Sequence, residues 1–222
     1  MKQFVISLLL TGAFGAAASG QTVFFDDFEG NALLPHWTHS PPGEWVYSVS
    51  NSQLHVEELP WPSQPKNPSN QAGMFTRITP LEGDFRVHVR MGWEANSIPL
   101  MLFSISDSST HLIAAFGISS GEIYARTGLT QPMFFPAPPP GMHNFVVDRV
   151  GPEVRFTLNE QLLLTLPDAA PGGLLSFHLL FSVPYPNAGF DPVHIDLVHI
   201  VPAPSVMIAL MITSGMAITK RR

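Results

Sequence analysis

Apolar and polar residues alternate along most of the chain, in short runs that turn residues separate. In segment 85–93 every second residue is apolar, and Arg86, His88, Arg90 and Gly92 stand between them. A period of two places one set of side chains on the buried face of a strand and the other set in solvent. The predicted strands are 23–28, 45–49, 53–56, 74–78, 85–93, 100–106, 112–118, 122–126, 144–150, 153–158, 161–166, 174–183 and 193–200.

The residues between these runs favour turns over helices. Ser50-Asn51-Ser52 and Asn159-Glu160 each separate two strand patterns, as hairpin turns do, and the proline-rich segment 132–141 is predicted to be a loop. The chain has 22 Pro and 17 Gly, and a proline inside a helix costs about 3 kcal/mol. Its 16 Phe favour strands. The pattern therefore predicts an all-β fold, a two-sheet antiparallel β-sandwich.

The N-terminal segment has the layout of a secretory signal peptide. Lys2 precedes a short apolar run from Phe4 to Leu10, and small residues follow as far as Gly20. The run is too short to span a bilayer, and small residues stand where a membrane anchor would stay bulky. Residues 1–20 are therefore predicted to be removed by signal peptidase before Gln21.

The C-terminal segment predicts a membrane anchor. The apolar run 205–219 would form a helix of about 22 Å, which is short for a bilayer span. The basic tail 220–222 would stay in the cytoplasm under the positive-inside rule, which leaves the body of the chain outside. The residues of this segment that carry the pattern are Pro202, Ala203, Pro204, Lys220, Arg221 and Arg222.

This segment, 201–222, resembles the PEP-CTERM sorting signal of Gram-negative bacteria. The resemblance implies processing by an exosortase and release to the cell surface or the extracellular space. Ala203 stands where the family usually has glutamate, whereas both prolines and the terminal basic cluster are kept. An ordinary tail anchor with a proline-containing stalk is the alternative.

Composition narrows the classes of protein that the body, residues 21–200, can belong to. Its length suits one domain, and the absence of cysteine means that a hydrophobic core must hold it. The net charge is −6, and no Lys/Arg cluster occurs outside the tail. Nucleic acid is therefore excluded as a partner.

Several segments of the body resemble the concanavalin A-like lectin/glucanase jelly rolls. Segment 25–29 with the following Trp37 is similar to their acidic-aromatic opening strand, and 83–87 is similar to a second strand of the family. Segment 144–159 is similar to a strand pair around an Asn-Gly turn, with Glu160 in place of the glycine, and 195–200 to the closing strand. The resemblance implies a jelly-roll fold for residues 21–200.

No residues in the body form the carboxylate pattern of the glucanases of that fold. These enzymes carry Glu-x-Asp-x-x-Glu on one strand, where alternate side chains share a face and flank a glycosidic bond. Glu57 and Glu58 are adjacent and so point to opposite faces, and Glu153 and Glu160 lie at predicted turns. The sequence therefore predicts that the chain is not an enzyme.

Two groups of residues are candidates for metal binding, although the sequence predicts no other cofactor. His88, His178 and His194 occupy the polar phase of predicted strands and could converge with Asp196, or could cover a polar sheet face as neutral imidazoles. The family resemblance also implies calcium near the first and last strands. The candidate oxygen ligands are Asp26, Asp27 and Asp196, for which strand capping is the alternative.

Two loop aromatics are candidates for stacking on a sugar ring. Trp61 lies between two prolines with Gln64 and Asn67 nearby, and Tyr185 lies between two prolines before Asn187. The sequence thus predicts an exported, membrane-anchored or exosortase-processed surface protein whose β-sandwich binds carbohydrate or exopolysaccharide. A structural envelope or extracellular-matrix protein without a small ligand, and a polysaccharide-active hydrolase with an unrecognised site, are the alternatives.

Overall fold

A computed structural model describes residues 23–39, 45–58, 71–77, 83–94, 100–107, 111–119, 121–168, 175–182 and 193–202. Within these ranges the chain forms strands and no helix. The strands are β1 (Phe24–Asp26), β2 (Thr38–His39), β3 (Trp45–Ser50), β4 (Gln53–Glu58), β5 (Gln71–Arg77), β6 (Phe85–Trp93), β7 (Leu100–Ser106), β8 (Leu112–Ser119), β9 (Glu122–Thr127), β10 (Met133–Pro136), β11 (Gly141–Val150), β12 (Glu153–Leu158), β13 (Gln161–Pro167), β14 (Ser176–Ser182) and β15 (Val193–Pro202).

These strands form two antiparallel sheets. Sheet A has the order β13-β12-β11-β6-β15-β4-β3, with β1 also paired to β15. Sheet B has the order β10-β9-β8-β7-β14-β5-β2. Strands distant in sequence, such as β6 and β15, are neighbours in space, so the long-range pairings define the fold. The predicted all-β, two-sheet antiparallel sandwich is confirmed.

Aromatic side chains from both sheets meet in the core. The ring of Phe116 on β8 makes edge contacts with Phe145 on β11 and Phe156 on β12, at centroid distances of 5.1 and 5.3 Å. On β6 the apolar residues that the alternation predicted are buried, as is Gly92 of the other phase, and Phe85 is fully buried. Burial of each large apolar side chain contributes about 1.5–3 kcal/mol, so this layer supplies the stability of a chain without disulfides.

A clasp formed by Asp26, Phe28 and Trp37 closes the start of the sandwich. Asp26 is 3% exposed; its Oδ1 accepts a hydrogen bond from the Phe28 backbone N–H (2.8 Å), and its Oδ2 accepts one from Trp37 Nε1 (2.5 Å). Phe28 has a φ of 52° and stacks on Trp37 at 6.1 Å. This turn ends β1 at Asp26, two residues before the end of the predicted strand. It also explains why acidic and aromatic residues stand together in segment 25–29.

Both predicted hairpin turns are confirmed, and one predicted loop is wrong. Asn51 and Ser52 have φ values of 53° and 57°, and Asn159 and Glu160 have 47° and 69°, which are left-handed pairs typical of two-residue type I′ hairpins. Segment 132–141, predicted to be a loop, contains β10. The strand is tolerated there because it lies at the edge of sheet B, where Pro136 occupies the final position.

The predicted signal peptide and most of the sorting segment lie outside the described residues. Pro202 is the last residue of β15, whereas Ala203, Pro204, the predicted helix 205–219 and the basic tail 220–222 are not described. In the described ranges, no helix has the length and apolar character needed to cross a membrane.

Candidate functional site

A polar groove lies on the outer face of sheet A, across β6, β11 and β12. We call it the sheet A groove; its cavity volume is about 380 Å³. Its strand side chains come from alternate positions whose neighbours point into the core, because residues at i and i+2 of a strand share a face, and Glu160 is added from the turn after β12. Its lining consists of Arg86, His88, Asn144, Val146, Asp148, Thr157 and Glu160.

An Arg–Asp pair forms one side of the groove. Arg86 and Asp148 are register partners on β6 and β11, and Arg86 donates from Nε to Oδ1 (2.6 Å) and from Nη2 to Oδ2 (3.0 Å). The hydrogen bond to Asp148 raises the pKa of Arg86, with a smaller contribution from the aspartate charge. This two-point contact fixes the plane of the carboxylate and leaves its remaining lone pairs for a ligand.

An imidazole–amide pair stands beside it. His88 Nε2 lies 2.9 Å from Asn144 Oδ1, and since an amide oxygen only accepts, the imidazole donates. The Asn144 backbone N–H donates to Asn159 Oδ1 (3.0 Å), and the Asn159 N–H donates to the Asn144 carbonyl (2.9 Å). These reciprocal bonds connect the groove to the β12–β13 turn.

The turn places Glu160 at the rim of the groove. Asn159 also donates from Nδ2 to His143 Nδ1 (2.9 Å), and His143 Nε2 donates to the Pro139 carbonyl (2.8 Å). Glu160 is exposed, and it makes no ion pair with any residue in the described ranges. The groove therefore combines a paired carboxylate with an unpaired one.

The same face continues over β15, where a bulge interrupts the register between Ile195 and Leu197. Asp196 at the bulge pairs with Arg90 (3.0 Å). Burial raises the pKa of Asp196, and the charges of Arg90 and His88 oppose that rise. Burial, and secondly the charge of His88, lowers the pKa of His199. Titratable groups from β6 and β15 thus crowd this face.

The three candidate histidines do not converge. His88 and His194 lie on sheet A, and His178 lies on β14 of sheet B, where burial lowers its pKa. His194 Nδ1 instead lies 3.1 Å from His55 Nδ1. In the part of the chain that the structure describes, no three His, Cys, Asp or Glu residues gather in a way that could hold a metal ion.

The three calcium candidates do not fit a calcium site. Ca²⁺ takes six to eight oxygen ligands. Both Asp26 oxygens accept hydrogen bonds inside the clasp, and Asp27 Oδ1 caps the Glu29 backbone N–H (3.2 Å). Asp196 is engaged with Arg90. The capping alternative accounts for Asp26 and Asp27.

The predicted sugar-binding residues lie outside the described ranges: Trp61, Gln64, Asn67, Tyr185 and Asn187. The first segment leads into β5, which begins at Gln71, and the second follows β14, which ends at Ser182. Gln71 and Ser182 are register partners, so these two strand ends are neighbours. The sheet A groove was not predicted from the sequence. Its polar alternation on 85–93 was visible, but the pairing of β6 with β11, more than fifty residues later, was not.

Comparison with known proteins finds similarity only at the level of structure. No family model and no curated protein matches the sequence. A sialidase matches with a TM-score of 0.64 and 12% identity, over 83% of this chain but only 19% of the sialidase. The CBM2 module of the evolved Dit of Lactobacillus casei BL23 phage J-1 has a TM-score of 0.60 and 12% identity, over 82% and 96% of the two chains. The endo-β-1,3-glucanase of Pyrococcus furiosus has a TM-score of 0.61 and 13% identity, over 84% and 95%.

These matches contradict the prediction that the chain is not an enzyme, because several of the neighbours are endo-glucanases and one is an endo-β-galactosidase. That prediction rested on the absence of one carboxylate pattern from one strand, although carboxylates from separate elements can also flank a glycosidic bond. At this level of identity the likeness shows the fold. The chain shares the two-sheet jelly-roll fold of these neighbours.

Proposed function

We propose that this chain is an exported cell-surface protein whose β-sandwich recognises carbohydrate through the sheet A groove. The observation that carries the proposal is the lining of the groove, in which a guanidinium, an imidazole, an amide, a hydroxyl and two carboxylates face one open cavity. Such groups donate to and accept from vicinal hydroxyls, and Val146 supplies an apolar patch for the C–H face of a sugar.

The charges of the groove favour a neutral or amine-bearing sugar. Arg86 and Asp148 neutralise each other, which leaves Glu160 as the unbalanced charge. An anionic ligand would meet that carboxylate without a free cation to offset it. Several structural neighbours are endo-glucanases, endo-acting O-glycanases or an endo-β-galactosidase, which supports a carbohydrate ligand here.

The test is binding of the full-length chain to laminarin, a β-1,3-glucan, and to chitosan, with alginate as the anionic comparison. Thr157→Ala and Glu160→Gln are expected to weaken binding about tenfold, the effect of one lost hydrogen bond to a charged or well-placed group. Thr165→Ala and Glu153→Gln are the matched controls, since both residues lie outside the groove on β13 and β12. Binding that is equally strong in all four variants would remove the groove from the site.

Hydrolysis is the second candidate function, because Asp148 and Glu160 line the same cavity. Glycoside hydrolysis requires two carboxyl groups on either side of the glycosidic bond, one as the acid and the other as the base or the nucleophile. Release of reducing ends from laminarin by the wild type, and its loss in Asp148→Asn and Glu160→Gln, would establish this activity. Binding without release of reducing ends would leave recognition alone.

Export and anchoring follow from the two terminal segments. We expect the exported chain to begin at Gln21 and to reach the inner membrane through helix 205–219 before any exosortase processing. Mass spectrometry of the membrane fraction tests the first point, and retention of Met1 would contradict it. Deletion of residues 220–222 is expected to reduce membrane retention.

Replacement of Trp61 and Tyr185 by Ala in the binding assay with laminarin and chitosan tests the two loop aromatics.

A further inference from the structure

We infer that the sheet A groove is one end of a longer track that binds a linear glycan chain, and that Phe25 on β1 is its aromatic stacking subsite. The inference rests on the proposed carbohydrate recognition and extends it from a sugar to a chain of sugars. It assigns a ligand-contacting role to Phe25, which is neither in the groove nor in the core.

One row of side chains connects Phe25 to the groove. In the sheet register Phe25 is opposite His199, His199 is opposite His88, His88 is opposite Val146, and Val146 is opposite Thr157. Residues directly opposite in neighbouring strands share a face of the sheet. The last three line the groove, so Phe25 and His199 continue the same surface.

The row has the length of a chain rather than of a single ring. It crosses β1, β15, β6, β11 and β12, which are successive neighbours. Neighbouring strands lie about 4.8 Å apart, so the row extends about 19 Å across the sheet. Several sugar units in a line fit that distance.

Phe25 is built as an exposed platform. Its side chain is 48% exposed, although a large aromatic residue is normally buried more deeply. Its ring stands edge-to-face with His199 at a centroid distance of 5.4 Å, and this contact holds the ring in place. An open aromatic ring beside groups that hydrogen-bond hydroxyls is the arrangement that stacks on a pyranose.

The centre of the row is suited to neutral hydroxyls. His199 is half-buried, and burial together with the charge of His88 lowers its pKa, so it stays uncharged at neutral pH. A neutral imidazole offers one donor and one acceptor. The row therefore runs from a stacking ring through two imidazoles to the polar groove.

The test is a chain-length series, measured by calorimetry on the full-length chain. The probes are glucose and linear β-1,3-glucan oligosaccharides of two to six units, with chitosan oligosaccharides of the same lengths. Affinity is expected to rise with chain length. Phe25→Ala is expected to weaken the binding of the longest probes about five- to tenfold. For glucose it is expected to change nothing.

Phe134→Ala is the matched control. Phe134 is 50% exposed and makes a similar edge contact with Tyr124 at 5.6 Å, but it lies on sheet B. Phe25→Tyr keeps a ring and is expected to keep the long-chain affinity. Affinity that is independent of length, or an equal loss in the Phe25 and Phe134 alanine variants, would overturn the track while leaving recognition at the groove intact. No binding of any probe by the wild type would instead overturn the proposed function itself.

Discussion

Two Arg–Asp pairs start from adjacent residues of β11 and point in opposite directions. Arg149 points inward, and its Nε lies 2.6 Å from Asp168 Oδ2, with side-chain exposures of 10% and 2%. Asp148 points outward and pairs with Arg86, also at 2.6 Å, with exposures of 15% and 57%. The two distances are equal, but the surroundings differ. One pair is part of the interior, and the other remains open to a ligand.

Burial, rather than pairing, separates the charges of the interior from those that border the proposed site in this sandwich. Arg149 also lies over the Phe85 ring at 6.0 Å, and the Asp168 backbone N–H donates to the Pro152 carbonyl (2.8 Å). Those contacts enclose the inner pair. The outer pair borders a cavity and the unpaired carboxylate of Glu160.

Arg149→Ala is expected to lower the free energy of unfolding by about 3–5 kcal/mol, because it leaves the buried Asp168 charge without its partner. Arg86→Ala is expected to lower it by about 0.5–1 kcal/mol, since water replaces an exposed partner. Denaturant unfolding followed by tryptophan fluorescence measures both. Similar losses in the two variants would show that burial does not distinguish the pairs.

The clasp offers a second contrast, between Asp26 and its neighbour Asp27. Asp26→Ala is expected to cost about 2–4 kcal/mol, because it leaves the Phe28 N–H and Trp37 Nε1 without acceptors in a buried site. Asp27→Ala loses one exposed capping bond and is expected to cost about 0.5–1 kcal/mol. Thermal unfolding measures the difference. Calcium chloride is expected to leave the wild-type midpoint unchanged, and a rise that Asp26→Ala abolishes would restore the calcium hypothesis.

The fold was largely predictable because it depends on local alternation, whereas the site depends on pairings between distant strands. The period-two pattern of 85–93 and the turns at Asn51 and Asn159 are local, and each is present in the structure. The groove needs β6 beside β11 and β12, and the alternation gives no order of strands. Asp26 was noticed in the sequence, but its role depends on Trp37 eleven residues later.

The outer pair, Arg86 and Asp148, is expected to affect ligand binding, whereas the inner pair is expected to affect the free energy of unfolding. Asp148→Asn keeps the shape of the side chain but removes the charge that orients Arg86, and it is expected to weaken laminarin binding about tenfold. Its free energy of unfolding is expected to stay within about 1 kcal/mol of the wild type. Calorimetry and denaturant unfolding on the same preparation test both points. A stability loss as large as that of Arg149→Ala would place Asp148 with the interior.

The pH dependence of stability should show a smaller effect, to which one half-buried histidine on each sheet contributes. Burial lowers the pKa of His178 on sheet B and of His199 on sheet A, so the unfolded chain binds their protons more readily than the folded chain. Stability is therefore expected to be fully present above the unfolded histidine pKa of about 6.5 and to fall as the pH drops below it. Burial raises the pKa of Asp196, so its protonation adds stability only at more acidic pH and opposes this fall there.

Thermal midpoints measured between pH 8 and pH 5 should show a shallower decline in His178→Gln and in His199→Gln than in the wild type. His111→Gln is the control, since His111 is mostly exposed beside Asp107. If only His111→Gln made the decline shallower, this would contradict the assignment of the pH dependence to His178 and His199.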